Sequence, residues 1–188
     1  AELALAATLA LPPQPAIVLQ PGAFGGLALL LETARDGRRA FAAGWCFGAA
    51  HFASGLYWIG HAMLVDPQKF GWLIPFAVGG LGAGLALFTG AAAVLAHGLS
   101  ARLRIAMPLA LAAAWFPAEW LRGHALTGFP WNLAGTAWTE LPPVAGLAAL
   151  VGLYGLTVLT VLAAAAAAAR PAALRHAVLA AFAALQVA

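Results

Sequence analysis

Long apolar runs, separated by short breaks of proline, glycine and charge, set the rhythm of this chain. A helix that crosses a bilayer needs about 20 mostly apolar residues. On that measure the pattern predicts segments over about 1–12, 16–32, 40–64, 71–98, 105–122 and 144–169, and a seventh starting after Pro171. The breaks fall at Pro12-Pro13-Gln14-Pro15, at the charged stretch from Glu32 to Arg39, at Asp66-Pro67-Gln68-Lys69 and before Arg102 and Arg104. The alanine run 163–169 is low in complexity, but alanine is the best helix former and suits a tightly packed span. The expectation is an all-α membrane protein: one bundle of about seven helices over 1–188, its first and last segments read as clipped. One gap breaks the rhythm. Residues 123–143 are too long for a tight turn and too apolar for a solvated one.

Composition agrees with the pattern. Of 188 residues, 64% are hydrophobic and 8% charged, whereas soluble domains are about a quarter charged. The mean hydropathy is +0.92. A soluble fold could not cover its surface with so few ionisable groups. The net charge of +3 does not point to nucleic acid, because the basic residues do not cluster on a face with stacking aromatics. Cys46 is the single cysteine, which leaves no internal disulfide and no cysteine-based metal site, and its apolar surroundings predict an inert buried thiol. The five histidines show no metal-ligand spacing, and no cofactor is expected.

Charge also orients the bundle. Arg35, Arg38 and Arg39, then Arg102 and Arg104, then Arg170 and Arg175 all fall on one side, which holds seven of the nine basic residues. Only Lys69 and Arg122 lie opposite. The positive-inside rule makes the basic side cytoplasmic. The loop 123–143 and the exit from the seventh segment then face outward.

Two local patterns carry candidate chemistry. In the third segment Gly44, Gly48, His51, Gly55 and Trp58 share one helical face, where small residues let backbones approach in lipid. His51 on that face reads as a packed, hydrogen-bonded interior residue. Gly80 and Gly84 offer a second such contact in the fourth segment. At the start of the long loop, Glu119 and Arg122 lie three apart on one face. Two readings are open: a structural ion pair closing a helix end, or a guanidinium facing outward to an anionic lipid phosphate, which its fork matches. The loop itself carries Phe129, Trp131, Leu133, Trp138 and Leu141. Tryptophan favours the membrane interface, and irregular backbone at membrane depth must be buried or line a cavity. The loop is therefore expected to be re-entrant or interfacial. It either lines a lipid-sized cavity or forms an aromatic belt with no ligand.

The blocks Gly44-Trp45-Cys46-Phe47-Gly48, Gly55-Leu56-Tyr57-Trp58-Ile59, Glu119-Trp120-Leu121-Arg122-Gly123 and Leu126-Thr127-Gly128-Phe129-Pro130-Trp131, followed by Gly152-Leu153-Tyr154-Gly155-Leu156, resemble apolipoprotein N-acyltransferase in order and interval. The resemblance is clearest over about 20–170. It implies a bacterial inner-membrane enzyme that moves an acyl chain from a phospholipid donor to the free α-amino group of a lipoprotein's N-terminal S-diacylglyceryl-cysteine, through a thioester on a cysteine. It also implies a periplasmic nitrilase-like domain with the catalytic Glu, Lys and Cys, which would follow residue 188. Cys46 does not match that nucleophile, so no catalytic residue is expected in this chain. Glu119, Arg122, Thr127, Gly128, Phe129, Pro130, Trp131 and Trp58 are the candidates for lipid and substrate binding. The partners implied are the phospholipid donor, the diacylglyceryl apolipoprotein and the bilayer.

Two other classes fit less well. A small transporter calls for paired ionisable groups in mid-membrane, and only His51 and His97 are placed for that role, without charged partners. A non-enzymatic lipid-binding scaffold asks nothing further of these residues.

Overall fold

A computed structural model describes residues 2–9, 19–139 and 141–168. The described elements are helical: α1 (Glu2–Leu9), α2 (Gln20–Thr33), α3 (Gly37–Gly55), α4 (Pro67–Phe70), α5 (Ile74–Leu103), α6 (Met107–His124), α7 (Pro142–Ala145) and α8 (Ala148–Ala167). Shorter 3-10 stretches cover Tyr57–Val65, Gly71–Leu73 and Ala134–Trp138. The stretches Pro67–Leu103 and Ala148–Ala167 are long and apolar enough to cross a membrane. The chain is an all-α membrane protein. The segment expected after Pro171 lies outside the described residues, as do Arg170 and Arg175.

Local chemistry explains the helix starts. Asp36 caps α3 by accepting a hydrogen bond from the Arg39 backbone N–H at 2.9 Å. Proline occupies the first turn of α2, α5 and α6, where its missing N–H has no helical partner to lose. Helix α5, 30 residues long, ends at Arg104 in the left-handed conformation (φ 53°). Within α8 the backbone breaks at Gly152 (φ 70°, ψ 170°), a conformation that glycine alone adopts without steric cost.

Helix α3 packs along α5 through small residues. Gly44 and Gly48 lie against Thr89, whose hydroxyl sits 3.0 Å from the Gly44 carbonyl and 2.9 Å from that of Ala86. In lipid such close backbone contact and interhelical hydrogen bonding replace the hydrophobic drive. On α5, Gly82 and Gly90 make the close approach, against the Ala49–Ala53 backbone and the Phe41 ring. Gly80 and Gly84, expected to offer a further contact on this helix, meet nothing within 4 Å among the described residues. They point away from α3, because they lie on the opposite side of the helix from Gly82. At the centre of the bundle, Phe24, Phe47 and Trp115 join α2, α3 and α6. The Phe24 and Trp115 rings meet edge to face at 5.0 Å.

The third segment differs from expectation at its end. The α-helix stops at Gly55 and the apolar run continues as the 3-10 stretch Tyr57–Val65. Trp58 is therefore not on the α3 packing face; it is half-exposed beyond the helix end. Cys46 is exposed, not buried. It is two positions from Gly44 and Gly48, so it points off the face they share.

Candidate functional site

The segment between α6 and α8 divides into two limbs. Residues 125–131 form an outer limb that turns back on the end of α6. Residues 132–139 form an inner limb that enters the bundle beside α8.

The outer limb folds back because its backbone can close on α6. Leu126 takes a left-handed φ of 56°, and Gly128 has φ 75°. The Gly128 N–H donates to Ala125 O at 2.9 Å, and the Phe129 N–H donates to Arg122 O at 2.9 Å. A β-carbon at Gly128 would strike the Gly123 carbonyl, so the turn needs glycine for both angle and space.

Arg122 holds this turn from below. Its Nη1 donates to the Phe129 and Trp131 carbonyls, each at 2.7 Å. Its guanidinium lies over the Phe52 ring at 4.9 Å, and Nη2 is 3.9 Å from Glu119 Oε1. Arg122 is only 2% exposed. Of the two readings open from the sequence, the structure displays the internal one. Nη1 holds the two loop carbonyls, while Nη2 has only the 3.9 Å ion pair with Glu119 and no hydrogen-bond partner among the described residues.

Glu119 secures the inner limb in the same way. Its Oε1 accepts from Trp115 Nε1 at 3.0 Å and from the Ala134 N–H at 3.3 Å. Two hydroxyls of α8 complete the seat. Thr157 Oγ1 accepts from the Gly135 N–H at 3.0 Å, and Thr160 Oγ1 accepts from Trp138 Nε1 at 2.7 Å. Gly135 lies so close to α8 that a β-carbon would stand 2.8 Å from Leu153 O and 2.9 Å from Thr157 N. Leu133, Ala134 and Ala137 are buried. Non-helical backbone is thus tolerated here because protein surrounds it and its polar groups are paired.

The predicted residues separate into two sets. Glu119 and Arg122 are buried, with Gly128 and Phe129 partly so. Phe129 packs on the Phe52–Leu56–Leu85 cluster. Thr127, Pro130, Trp131 and Trp58 are exposed. The Trp58 and Trp131 rings meet edge to face at 6.0 Å, which joins the 3-10 stretch to the outer limb at one end of the bundle. Leu126, on the same outer limb, is fully exposed. The result is an apolar platform of Trp58, Leu126 and Trp131 laid over a buried Arg–Glu pair.

The sequence reading missed Trp115, Phe52, Thr157 and Thr160 as parts of this site. The threonines carried a signal: two hydroxyls three apart on one face of an otherwise apolar α8. Among the described residues no group of three or more His, Cys, Asp or Glu comes together as a metal site.

Comparisons with known proteins converge. The family profile described as "Apolipoprotein N-acyltransferase N-terminal domain" matches residues 3–166. An apolipoprotein N-acyltransferase of Caulobacter vibrioides is 47% identical over 141 residues, which cover 71% of this chain and 26% of the relative. One from Rhodopseudomonas palustris is 55% identical over 100 residues, covering 52% of this chain and 18% of the relative. A third, from Rhizobium etli, is 48% identical over 108 residues, with 55% and 19% covered. The matched region is about a quarter of these relatives' length or less.

Proposed function

Because the chain belongs to the family of apolipoprotein N-acyltransferase N-terminal domains, we propose that it is the membrane domain of such an enzyme. In this reading it receives a phospholipid acyl donor and the diacylglyceryl lipoprotein laterally from the bilayer. A nitrilase-like domain following residue 188 carries the catalytic Glu, Lys and Cys. Its thiol takes the acyl chain as a thioester, releasing lysophospholipid, and the lipoprotein's α-amine then takes the acyl group as an amide, freeing the thiol. The fragment itself binds and presents. It lies in the inner membrane, with the Arg35–Arg39 and Arg102–Arg104 turns cytoplasmic and the platform periplasmic.

The observation that carries this reading is the platform. Leu126 and Trp131 are exposed on a loop whose Phe129 and Trp131 carbonyls are bound from beneath by Arg122, and the exposed Trp58 of the Tyr57–Val65 stretch meets the Trp131 ring. A satisfied backbone under an apolar surface suits the boundary between acyl chains and head groups. Thr127 and Pro130 complete the contact surface. Glu119, Arg122, Gly128 and Phe129 support it and do not touch the head group.

The test uses the full-length enzyme. Acyl-enzyme formation is followed against phospholipid concentration in mixed micelles for Trp131→Ala. The expected result is a raised KM for phospholipid with folding retained. Saturation identical to that of the unmodified enzyme would remove lipid binding from the platform.

A further inference from the structure

The end of the bundle where α3 begins and α5 closes carries an open groove. Asp36, Gly37, Arg38, Phe41 and Val94 line a space of about 730 Å³. At Val94 it continues along α5 into a hollow of about 230 Å³, which Gly98 and Arg102 help to line. The two helices meet here: a β-carbon at Gly37 would stand 3.8 Å from Val94 Cγ1. One at Gly98 would meet nothing within 4 Å among the described residues, so the hollow keeps its depth. Arg102 lies four residues after Gly98, and a long helical side chain leans back over the preceding turn. Its guanidinium therefore approaches the groove along α5, while Arg38 approaches from α3. Phe41, Val94 and Leu95 are exposed along the walls. Among the described residues the one ion pair is Glu119 with Arg122, so neither Arg38 nor Arg102 is neutralised. Asp36, the groove's carboxylate, is turned to its own helix, where it accepts from the Arg39 N–H.

We propose that this groove binds an anionic phospholipid, its phosphate between Arg38 and Arg102 and an acyl chain laid along Phe41, Val94 and Leu95. Charge selects the head group. Arg35, Arg38, Arg39, Arg102 and Arg104 outnumber Glu32 and Asp36 at this end, and guanidinium forks match phosphate oxygens. The walls select a lipid over a free anion. A free anion would pair the arginines and leave the apolar walls uncovered, and a neutral lipid would cover the walls and leave two charges unpaired. An anionic lipid does both, as in the basic pockets between membrane helices that hold such head groups. Bound there, it ties the first turn of α3 to the last turns of α5, at the opposite end of α3 from the platform. The site does not depend on the acyl-transfer reading; only the assignment of its leaflet as cytoplasmic rests on the orientation proposed above.

The experiment uses the full-length protein in an uncharged detergent, titrated with phosphatidylglycerol and, separately, with phosphatidylcholine. Bound lipids are counted by native mass spectrometry. Arg38→Ala/Arg102→Ala removes both charges of the groove, and Gly98→Leu fills its floor with the charges kept. Arg35→Ala/Arg39→Ala removes the same charge from the same end, at residues that do not line the groove. The expected result is one phosphatidylglycerol that the Arg38→Ala/Arg102→Ala variant holds about thirtyfold more weakly, the scale set by two arginines beside an anionic head group. Gly98→Leu weakens the same lipid, the control variant holds it as the parent does, and excess inorganic phosphate does not displace it. Lipid held elsewhere on the protein is common to all variants and cancels in the comparison. Equal weakening in the control would overturn the proposal, since the attraction would then be the diffuse charge of the whole end. So would parent-like binding in the groove variants, or phosphatidylcholine held as firmly as phosphatidylglycerol. Displacement by inorganic phosphate would make the site one for a free anion and overturn the lipid. If Arg38→Ala/Arg102→Ala fails to fold, Gly98→Leu decides alone: parent-like binding in it overturns the proposal.

Discussion

The two limbs between α6 and α8 are built from the same ingredients and behave oppositely. Each has a tryptophan, a glycine pressed against neighbouring backbone and at least one threonine. The outer limb leaves Trp131 and Leu126 exposed, while the inner limb buries Leu133, Ala134 and Ala137. What separates them is where their backbone polar groups find partners. The inner limb's Ala134 and Gly135 N–H groups reach Glu119 Oε1 and Thr157 Oγ1 on helices on both sides, so its Leu133–Gly135 stretch is buried. In the outer limb the Phe129 and Trp131 carbonyls are held by Arg122, the one side chain among the described residues that hydrogen-bonds them. Apolar side chains alone do not take a loop into a bundle; paired N–H and C=O groups do.

Four substitutions sharpen or break this contrast, in decreasing order of effect on folding. Glu119→Ala removes the acceptor for Trp115 and Ala134 and leaves Arg122 buried without its counter-charge. Breaking such a buried pair costs about 3–5 kcal/mol. A fall in the unfolding midpoint in detergent, together with new proteolytic cleavage within 123–141, is expected; a midpoint equal to the parent's would refute the anchoring role. Gly135→Val forces a branched side chain against the α8 backbone and is expected to cost about 1–3 kcal/mol by overpacking, read from the same midpoint. Thr157→Val keeps the shape but leaves the Gly135 N–H unpaired, at roughly 1–2 kcal/mol. Faster amide exchange at Gly135 with the rest of α8 unaffected is the signature, and protection equal to the parent's would mean that another acceptor serves. Trp131→Ala, on the outer limb, is expected to change stability by no more than about 0.5 kcal/mol. A large loss there would place Trp131 in the core and erase the distinction between the limbs.

Much of the fold was legible because hydropathy and helix breakers act locally. Asp36 and the prolines at the starts of α2, α5 and α6 mark helix boundaries by their own chemistry. The change from α-helix to 3-10 after Gly55 was not legible, since Tyr57–Val65 is as apolar as the helix before it and hydropathy does not distinguish hydrogen-bond registers. The choice of Gly80 and Gly84 over Gly82 and Gly90 failed for a related reason. Spacing identifies glycines that share a face, but which face meets α3 depends on the neighbour's rotation. At the site, the pairing of Glu119 with Arg122 follows from their separation of three. The direction of the guanidinium does not, because it depends on whether residues 129 and 131 return above it. The contributions of Thr157 and Thr160 come from 22 residues further along the chain than the groups they accept from, a distance local pattern cannot bridge.

The length of α5 has a geometric consequence. Thirty residues of α-helix extend about 45 Å, against a hydrocarbon thickness near 30 Å. The 19 residues of α3 and 18 of α6 match that thickness, so α5 must either lean or protrude by about 15 Å. Its closing turns carry His97, Ser100 and Arg102, side chains suited to water and head groups, and the Ser100 hydroxyl reaches forward to the Ile105 carbonyl. Either way, the polar closing turns of α5 mark the end at which that surplus meets water and head groups.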